Sequence, residues 1–284
     1  MAQILSGRDV AESVTALLKE EVRKLKEADI DPALAIIRAG ERSDDIAYER
    51  SAVKRCEGIG ISVKKYILDK DASSDELLSV ISDVNKDANI HGVLLFQPLP
   101  DHIDEAAVRK ALLPEKDVDG ITEGSMAGVY SGSRIGFPPC TAQACMEILD
   151  YYGIDVTGKK AVVIGRSTVV GKPAALMLIK KNATVTICHS KTEDIAPVCR
   201  DADLLIAAVG KARAVGSGCF NENQIVIDVG INVGDDGRIS GDVDFIRAEP
   251  IVRAITPVPG GVGAVTTCVL AKHVIEAAKK SLRS

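Results

Sequence analysis

A strand-like run, Ala161-Val162-Val163-Ile164, leads straight into Gly165-Arg166-Ser167-Thr168-Val169-Val170-Gly171-Lys172-Pro173, after which the apolar residues keep a helical period. Strand, glycine turn and helix in that order can cradle a phosphate, because the free N–H groups at the start of the helix face the anion. The usual G-x-G-x-x-G spacing is altered, with Ser167 where the middle glycine would stand. Gly165 still permits the tight turn, and Gly171 still permits close helix packing. A glycine turn that merely joins strand to helix is the competing reading. The next strand ends in Thr186-Ile187-Cys188-His189-Ser190-Lys191, where no carboxylate is present to bind a ribose 2′-hydroxyl. Ser190 and Arg166 can instead donate to a 2′-phosphate, so the segment favours NADP over NAD. Lys191 either adds charge there or is simply solvated.

Other chemistries find less support. The seven cysteines are an odd number, scattered and without a C-x-x-C pair, and the four histidines lack metal-ligand spacing. Free buried thiols, no disulfide framework and no metal site are expected. With 35 basic against 40 acidic residues the formal charge is −5, which gives no long-range attraction to nucleic acid or to an anionic membrane. Apolar runs such as Gly92 to Phe96 are too short to span a bilayer, and the N-terminus lacks the features of a secretory signal. A cytoplasmic location is expected.

The elements that must position these residues follow from length and periodicity. The chain has 284 residues, 46% of them hydrophobic and 26% charged, enough for one large domain or two ordinary ones. Val10, Val14, Leu17, Leu18 and Val22 recur at helical spacing between Gly7 and about Glu27. Ala33 to Ile37 reads as a strand buried on both faces, Ile46 to Ile59 as a helix, Val63 to Leu68 as a strand, Ser74 to Asn85 as a helix and His91 to Phe96 as a strand. A second series begins near Cys140. It comprises a helix to Tyr152, strands at Lys160 to Ile164, Ala183 to Cys188, Leu204 to Val209 and Ile225 to Val229, and helices from Gly171 to Lys181 and up to about Arg200. Strands alternating with helices imply an α/β fold of two lobes, with a parallel sheet in the second, Rossmann-like lobe. The expected division is 1–140, completed by a C-terminal helix in 266–284, and 141–265. That last helix is expected over Thr266 to Ser281, after the Gly-rich segment Pro257 to Gly263.

Six separated segments carry a resemblance that spans essentially the whole chain. They are Pro114-Glu115-Lys116-Asp117-Val118-Asp119-Gly120, the Gly165 to Pro173 segment, Cys188-His189-Ser190-Lys191-Thr192, Ile227-Asp228-Val229-Gly230-Ile231-Asn232, Gly241-Asp242-Val243, and Ile255 to Gly263 with its Pro259-Gly260-Gly261 turn. In this order they resemble the methylenetetrahydrofolate dehydrogenase/cyclohydrolase (FolD) family. The resemblance implies a homodimeric enzyme that oxidises 5,10-methylenetetrahydrofolate to 5,10-methenyltetrahydrofolate with NADP and, in most members, hydrolyses the product to 10-formyltetrahydrofolate. It implies a folate cleft between the lobes, with Tyr48 bordering the pterin ring, Asp119 bonding its amino and ring nitrogens, and Pro259, Gly260 and Gly261 in the wall. Gly165, Arg166, Ser167, Ser190 and Ile231 are implied as cofactor-binding residues. A pterin offers a flat face to an aromatic ring and a donor-rich edge to a carboxylate, so these residue types suit those roles. As an Asp-Gly pair, Asp119-Gly120 also reads as an ordinary turn.

The sequence departs from the family at two coupled places. The family pattern Tyr-x-x-x-Lys puts a hydrolytic lysine about 40° round the helix from the tyrosine, but Ala52 stands there. The nearest lysine, Lys54, lies roughly 120° away on an ideal helix, and is either a displaced catalytic residue or a solvated one. The family's partner glutamine, just before Pro-Leu-Pro, is Phe96 here, and the adjacent Gln97 is expected on the opposite face of a regular strand, or, where a bulge or helix irregularity brings it and Lys54 into the cleft, as a substrate-binding residue. Cyclohydrolase activity is therefore expected to be reduced, absent or differently built, while the dehydrogenase segments are intact. Two other readings remain open at this stage: an NADP-binding regulatory protein without catalysis, and a two-lobed dehydrogenase of a small hydroxy acid.

Overall fold

A computed structural model describes residues 1–234 and 236–281. In chain order the elements are β1 (Gln3–Ile4), α1 (Gly7–Glu27), β2 (Ala33–Ala39), α2 (Ser43–Ile59), β3 (Ser62–Leu68), α3 (Ser74–Lys86), β4 (Gly92–Leu95), α4 (Glu105–Ala111), α5 (Glu123–Ser131) and α6 (Cys140–Tyr151). They continue as β5 (Lys160–Ile164), α7 (Gly171–Lys180), β6 (Thr184–Cys188), α8 (Ile195–Arg200), β7 (Leu204–Ala207), β8 (Ile225–Asp228), β9 (Asn232–Val233), β10 (Ile239–Ser240), α9 (Phe245–Ala248), β11 (Ala254–Ile255) and α10 (Val262–Ser281). No helix among the described residues is long and apolar enough to cross a membrane.

The chain divides into two compact units, residues 13–140 with 267–284 and residues 1–12 with 141–266. The first holds a parallel sheet in the order β3-β2-β4, with Ile37 of β2 paired to Tyr66 on one side and Leu95 on the other. Every residue of β2 is buried, as an apolar run without alternation requires of a central strand covered on both faces. Ile37 and Leu95 share a core with Leu77 and Ile81 of α3, a helix that begins in a reciprocal Ser73/Glu76 cap. On α2 the buried residues Asp45, Glu49, Ala52, Cys56 and Ile59 form one stripe. Glu49 fixes its rotation, accepting from Arg38 Nε at 3.0 Å and from Lys65 Nζ at 2.9 Å. These bonds join α2 to β2 and β3 at the residue next to Tyr48.

In the second unit all six strands run parallel in the order β1-β11-β8-β7-β5-β6. The neighbours β6 and β7 leave β5 on opposite sides, so the chain reverses its winding at the carboxyl end of β5, where doubly wound sheets open a crevice for ligands. Residues 1–12 do not stay with the rest of the 1–140 segment, because β1 pairs Gln3 with Ala254 and lengthens this sheet through β11. The last helix also starts earlier than periodicity predicts, at Val262 rather than Thr266. Its first turn accommodates Gly263, and Thr266 Oγ1 donates back to Val262 O at 3.2 Å. Strands β9 and β10 form a short antiparallel hairpin that carries too few residues to register in the sequence.

Candidate active site

In the unit of residues 13–140, the Tyr48 ring on α2 meets Phe96, just beyond β4, edge-on with centroids 5.9 Å apart. Phe96 is buried, and its N–H still bonds Ile37 O at 3.0 Å, so the residue in the family's glutamine position is an apolar wall beside Tyr48. Ala52, one turn further along α2, is fully buried, whereas Lys54 is exposed. Gln97 lies past the end of the strand, where the alternation of faces no longer applies. Its Nε2 is buried without a hydrogen-bond partner. An orphaned buried amide donor is costly, and a ligand oxygen would satisfy it.

Asp119 is half-buried close to this tyrosine. Burial pushes its carboxyl up to about 7, against a hydrogen bond from the Cys140 thiol and with help from the neighbouring charge of Asp117. Tyr48 is held well above the usual phenol range, first by burial and then by Asp119, Cys140 and Cys56, and so remains a neutral donor. The loop that presents Asp119 is tied by Asp117, whose role the sequence did not reveal. Its Oδ1 accepts from the N–H of Gly120 and of Ile121, each at 3.0 Å. Its Oδ2 accepts from Thr122 N at 2.7 Å and Ser125 Oγ at 2.6 Å. Asp117→Ala would leave these four donors buried without their acceptor and is expected to lower stability by about 3 kcal/mol, read from urea denaturation. An unchanged unfolding midpoint would mean that the loop stands without it.

In the other unit, Gly165 follows β5 with φ 124°, and a methyl group there would sit 2.1 Å from Ala208 O. A methyl on Gly171, at the start of α7, would meet Gly165 O at 2.1 Å. These are the close approaches for which the cradle needs glycine. Between them Ser167 Oγ accepts from Val170 N at 3.1 Å and Gly171 N at 3.4 Å, capping the helix start. Arg166, Ser167 and Ser190 are exposed donors at the carboxyl ends of β5 and β6. Ile231 is 62% exposed, and a side chain on Gly263 would approach its Cδ1 to 3.1 Å. Gly261 is held close to Pro257 O, and Gly260 O accepts from Gly7 N at 2.8 Å.

Two further acids shape this rim. Asp242 Oδ2 accepts from Val209 N at 2.5 Å and Gly210 N at 2.8 Å, while Oδ1 accepts from Lys211 N at 3.0 Å and Asn232 Nδ2 at 2.9 Å. Asp228 accepts from the N–H of Gly230, Asp242 and Val243, each at 3.0 Å. Both lie inside segments that carry the resemblance, but their work is to tie loops after β7 and β8. The signal for this was acids set among glycines, Asp228-Val229-Gly230 and Gly241-Asp242.

The donor set fits a dinucleotide. Glycines clear the backbone after β5, Arg166, Ser167 and Ser190 stand exposed as side-chain donors, and no acid at the end of β6 opposes a 2′-phosphate. Fold and site together define an α/β enzyme with a catalytic unit and a nucleotide-binding unit. Two family models match the chain: tetrahydrofolate dehydrogenase/cyclohydrolase, catalytic domain, over residues 5–119, and the NAD(P)-binding domain of the same family over residues 139–282. The chain is 49% identical to the bifunctional protein FolD of Carboxydothermus hydrogenoformans over 279 residues, 98% of this chain and 97% of that one. Among solved structures it is similar to the bifunctional FolD of Campylobacter jejuni, with TM-score 0.96 and 39% identity, covering 99% of this chain and 100% of the other. It is also similar to the Trypanosoma brucei FolD complexed with NADP cofactor and inhibitor, with TM-score 0.94 and 33% identity, covering 100% and 99%. The chain belongs to the tetrahydrofolate dehydrogenase/cyclohydrolase family.

Proposed function

We propose that this protein oxidises 5,10-methylenetetrahydrofolate to 5,10-methenyltetrahydrofolate with NADP, and that it hydrolyses the product weakly or not at all. The observation that carries the second clause is the pairing of a fully buried Ala52 with a Phe96 ring packed on Tyr48. Neither residue can polarise a water or hold a proton, and together they present apolar surface where the family has a lysine and its glutamine partner. Lys54 is exposed and is assigned to the solvated face of α2.

When bound, NADP supplies the acceptor for the hydride that leaves the folate methylene carbon. Gly165, Arg166, Ser167, Ser190 and Ile231 would hold it, with Arg166 and Ser190 donating to the 2′-phosphate. The chain's own residues bind and orient the substrate. Asp119, as a carboxylate, accepts from the amino and ring N–H groups of the pterin edge. Tyr48 borders the ring and donates through a phenol that stays neutral. The orphaned Gln97 Nε2 is suited to a substrate oxygen, and the resemblance assigns Pro259, Gly260 and Gly261 to substrate binding. Hydride loss leaves a delocalised cation, so no protein nucleophile is needed. Action as a homodimer in the cytoplasm is part of the same reading, and light scattering of the purified protein tests the first.

The deciding experiment follows methenyl absorbance with purified protein, 5,10-methylenetetrahydrofolate and NADP. The expected result is that methenyl accumulates and then decays at the rate of the enzyme-free control. Accelerated decay would overturn the monofunctional reading, and binding of NADP without any methenyl formation would favour a regulatory protein.

A further inference from the structure

The turn that follows β6 holds a ring donor that the nucleotide site, as described so far, leaves unused. Its backbone closes on itself: Thr192 N donates to His189 O at 2.8 Å, and His189 N donates to Thr192 Oγ1 at 2.9 Å. The half-buried imidazole completes the turn, because Lys191 N donates to His189 Nδ1 at 3.2 Å. This is the reach to the second residue along the chain that Asn and Asp side chains make in an Asx-turn. A backbone nitrogen can only donate, so Nδ1 is an acceptor and carries no proton. Thr192 Oγ1 lies 3.4 Å from the same nitrogen and holds the ring from the same side. The imidazole is therefore the neutral tautomer with its hydrogen on Nε2, the distal nitrogen. Nothing among the described residues accepts that hydrogen.

The place of this donor in the fold says what it can meet. Ile164 and Cys188 are register partners, and Gly165 N donates to Cys188 O at 2.8 Å, so the turns after β5 and β6 leave the sheet side by side. Arg166 and His189 are the residues next after that bonded pair, and Ser190 follows, at the carboxyl edge where the winding reverses. A donor without an acceptor of its own, beside a guanidinium and a hydroxyl, suits an anionic oxygen. A ring already held on its Nδ1 side loses little freedom when its other N–H engages a ligand.

We propose that His189 is a specificity-determining residue for the dinucleotide: its Nε2–H joins Arg166 and Ser190 in binding the 2′-phosphate, and the bond from Lys191 N fixes the tautomer that makes it a donor. The proposal rests on the reading of this crevice as an NADP site.

The test is calorimetric binding of NADP and of NAD, which differ only in that phosphate, to the full chain. It is joined by nitrogen-15 NMR of the histidine rings, in which the His189 signals are assigned by their loss in His189→Asn. Asparagine keeps an oxygen to accept from Lys191 N, as in an ordinary Asx-turn, and lacks the distal donor. His189→Asn is expected to weaken NADP binding about tenfold, the contribution of one hydrogen bond to a charged acceptor, and to leave NAD binding as in the wild type. In the wild type, the spectrum is expected to show a bare Nδ1 and a protonated Nε2, with the Nε2 resonance moving on addition of NADP and not of NAD. Equal NADP affinity in His189→Asn and wild type would overturn the proposal and leave the ring as a lock for the turn. Matching losses of NADP and NAD affinity would also overturn it, since the contact would then lie on a part that the two share. If the wild-type protein binds NAD as tightly as NADP, the preference for NADP is what fails, and the response of Nε2 to NADP still decides whether His189 meets the phosphate.

Discussion

Asp119→Ala is expected to weaken binding of the folate substrate by about 10²- to 10³-fold above pH 8 and to leave NADP binding unchanged. The magnitude follows from two hydrogen bonds to a charged acceptor, each contributing roughly 1.5 to 3 kcal/mol, less what solvent recovers in the truncated site. The sign of the pH dependence follows from the raised carboxyl. Burial puts Asp119 at about 7, so at pH 5.5 it is mostly a carboxylic acid that offers a proton where the pterin edge also offers protons. Wild-type affinity is therefore expected to climb as pH rises through about 7 and then level off, while the alanine variant stays flat and the two converge at low pH. Calorimetric titration with the folate and, separately, with NADP measures both claims. Substrate affinity that is the same in variant and wild type at pH 8 would remove Asp119 from the site. A matching loss of NADP affinity would point to misfolding, since the cofactor residues lie in the other unit.

What the sequence revealed and what it hid divide along physical lines. The nucleotide cradle was legible because its chemistry is local: Gly165 and Gly171 are close neighbours in the chain, and both are needed where a Cβ would strike backbone at 2.1 Å. The long elements were legible because β2 is an unbroken apolar run and α1 repeats its apolar residues at helical spacing. Short elements such as β1, β9 and β11 leave none. The strand β1 joins the sheet of residues 141–266 because Gln3 finds Ala254, a partner about 250 positions away. Asp117, Asp228 and Asp242 were visible as letters within motifs, but their function is to gather N–H groups from loops, and only the folded backbone says which loops. The same holds for His189, since only the folded turn brings Lys191 N to its Nδ1 at 3.2 Å. The departure at Ala52 and Phe96 was legible against the pattern that the family resemblance implies, and helical phase placed Lys54 away from Tyr48. The location of Gln97 was not, because the strand ends at Leu95 and its side chain is no longer bound to alternate.

On the reading proposed above, in which the methenyl product leaves unhydrolysed, the double substitution Ala52→Lys with Phe96→Gln is expected to create methenyl hydrolysis. Ala52 is fully buried one turn from Tyr48, so a lysine there is held on the buried side of α2 near that tyrosine rather than in solvent. Alone, it would bury an ammonium on the buried stripe of α2 without an acceptor supplied for it. Ala52→Lys by itself is therefore expected to cost several kcal/mol of stability and to lower the titration of the new amine by desolvation. Phe96→Gln places an amide carbonyl against that amine in the position now taken by the ring edge, and so the second substitution recovers part of the loss. The two sites are coupled, and their effects on stability are expected to be non-additive by about 1 to 3 kcal/mol. The readout is the decay of methenyl absorbance, expected to run at least about tenfold faster than the enzyme-free control in the double variant and at the control rate in Phe96→Gln alone, a range typical of one general acid–base group. A double variant that still oxidises methylenetetrahydrofolate, yet leaves the product to decay at the control rate, would show that restoring lysine and glutamine at positions 52 and 96 is not enough for hydrolysis.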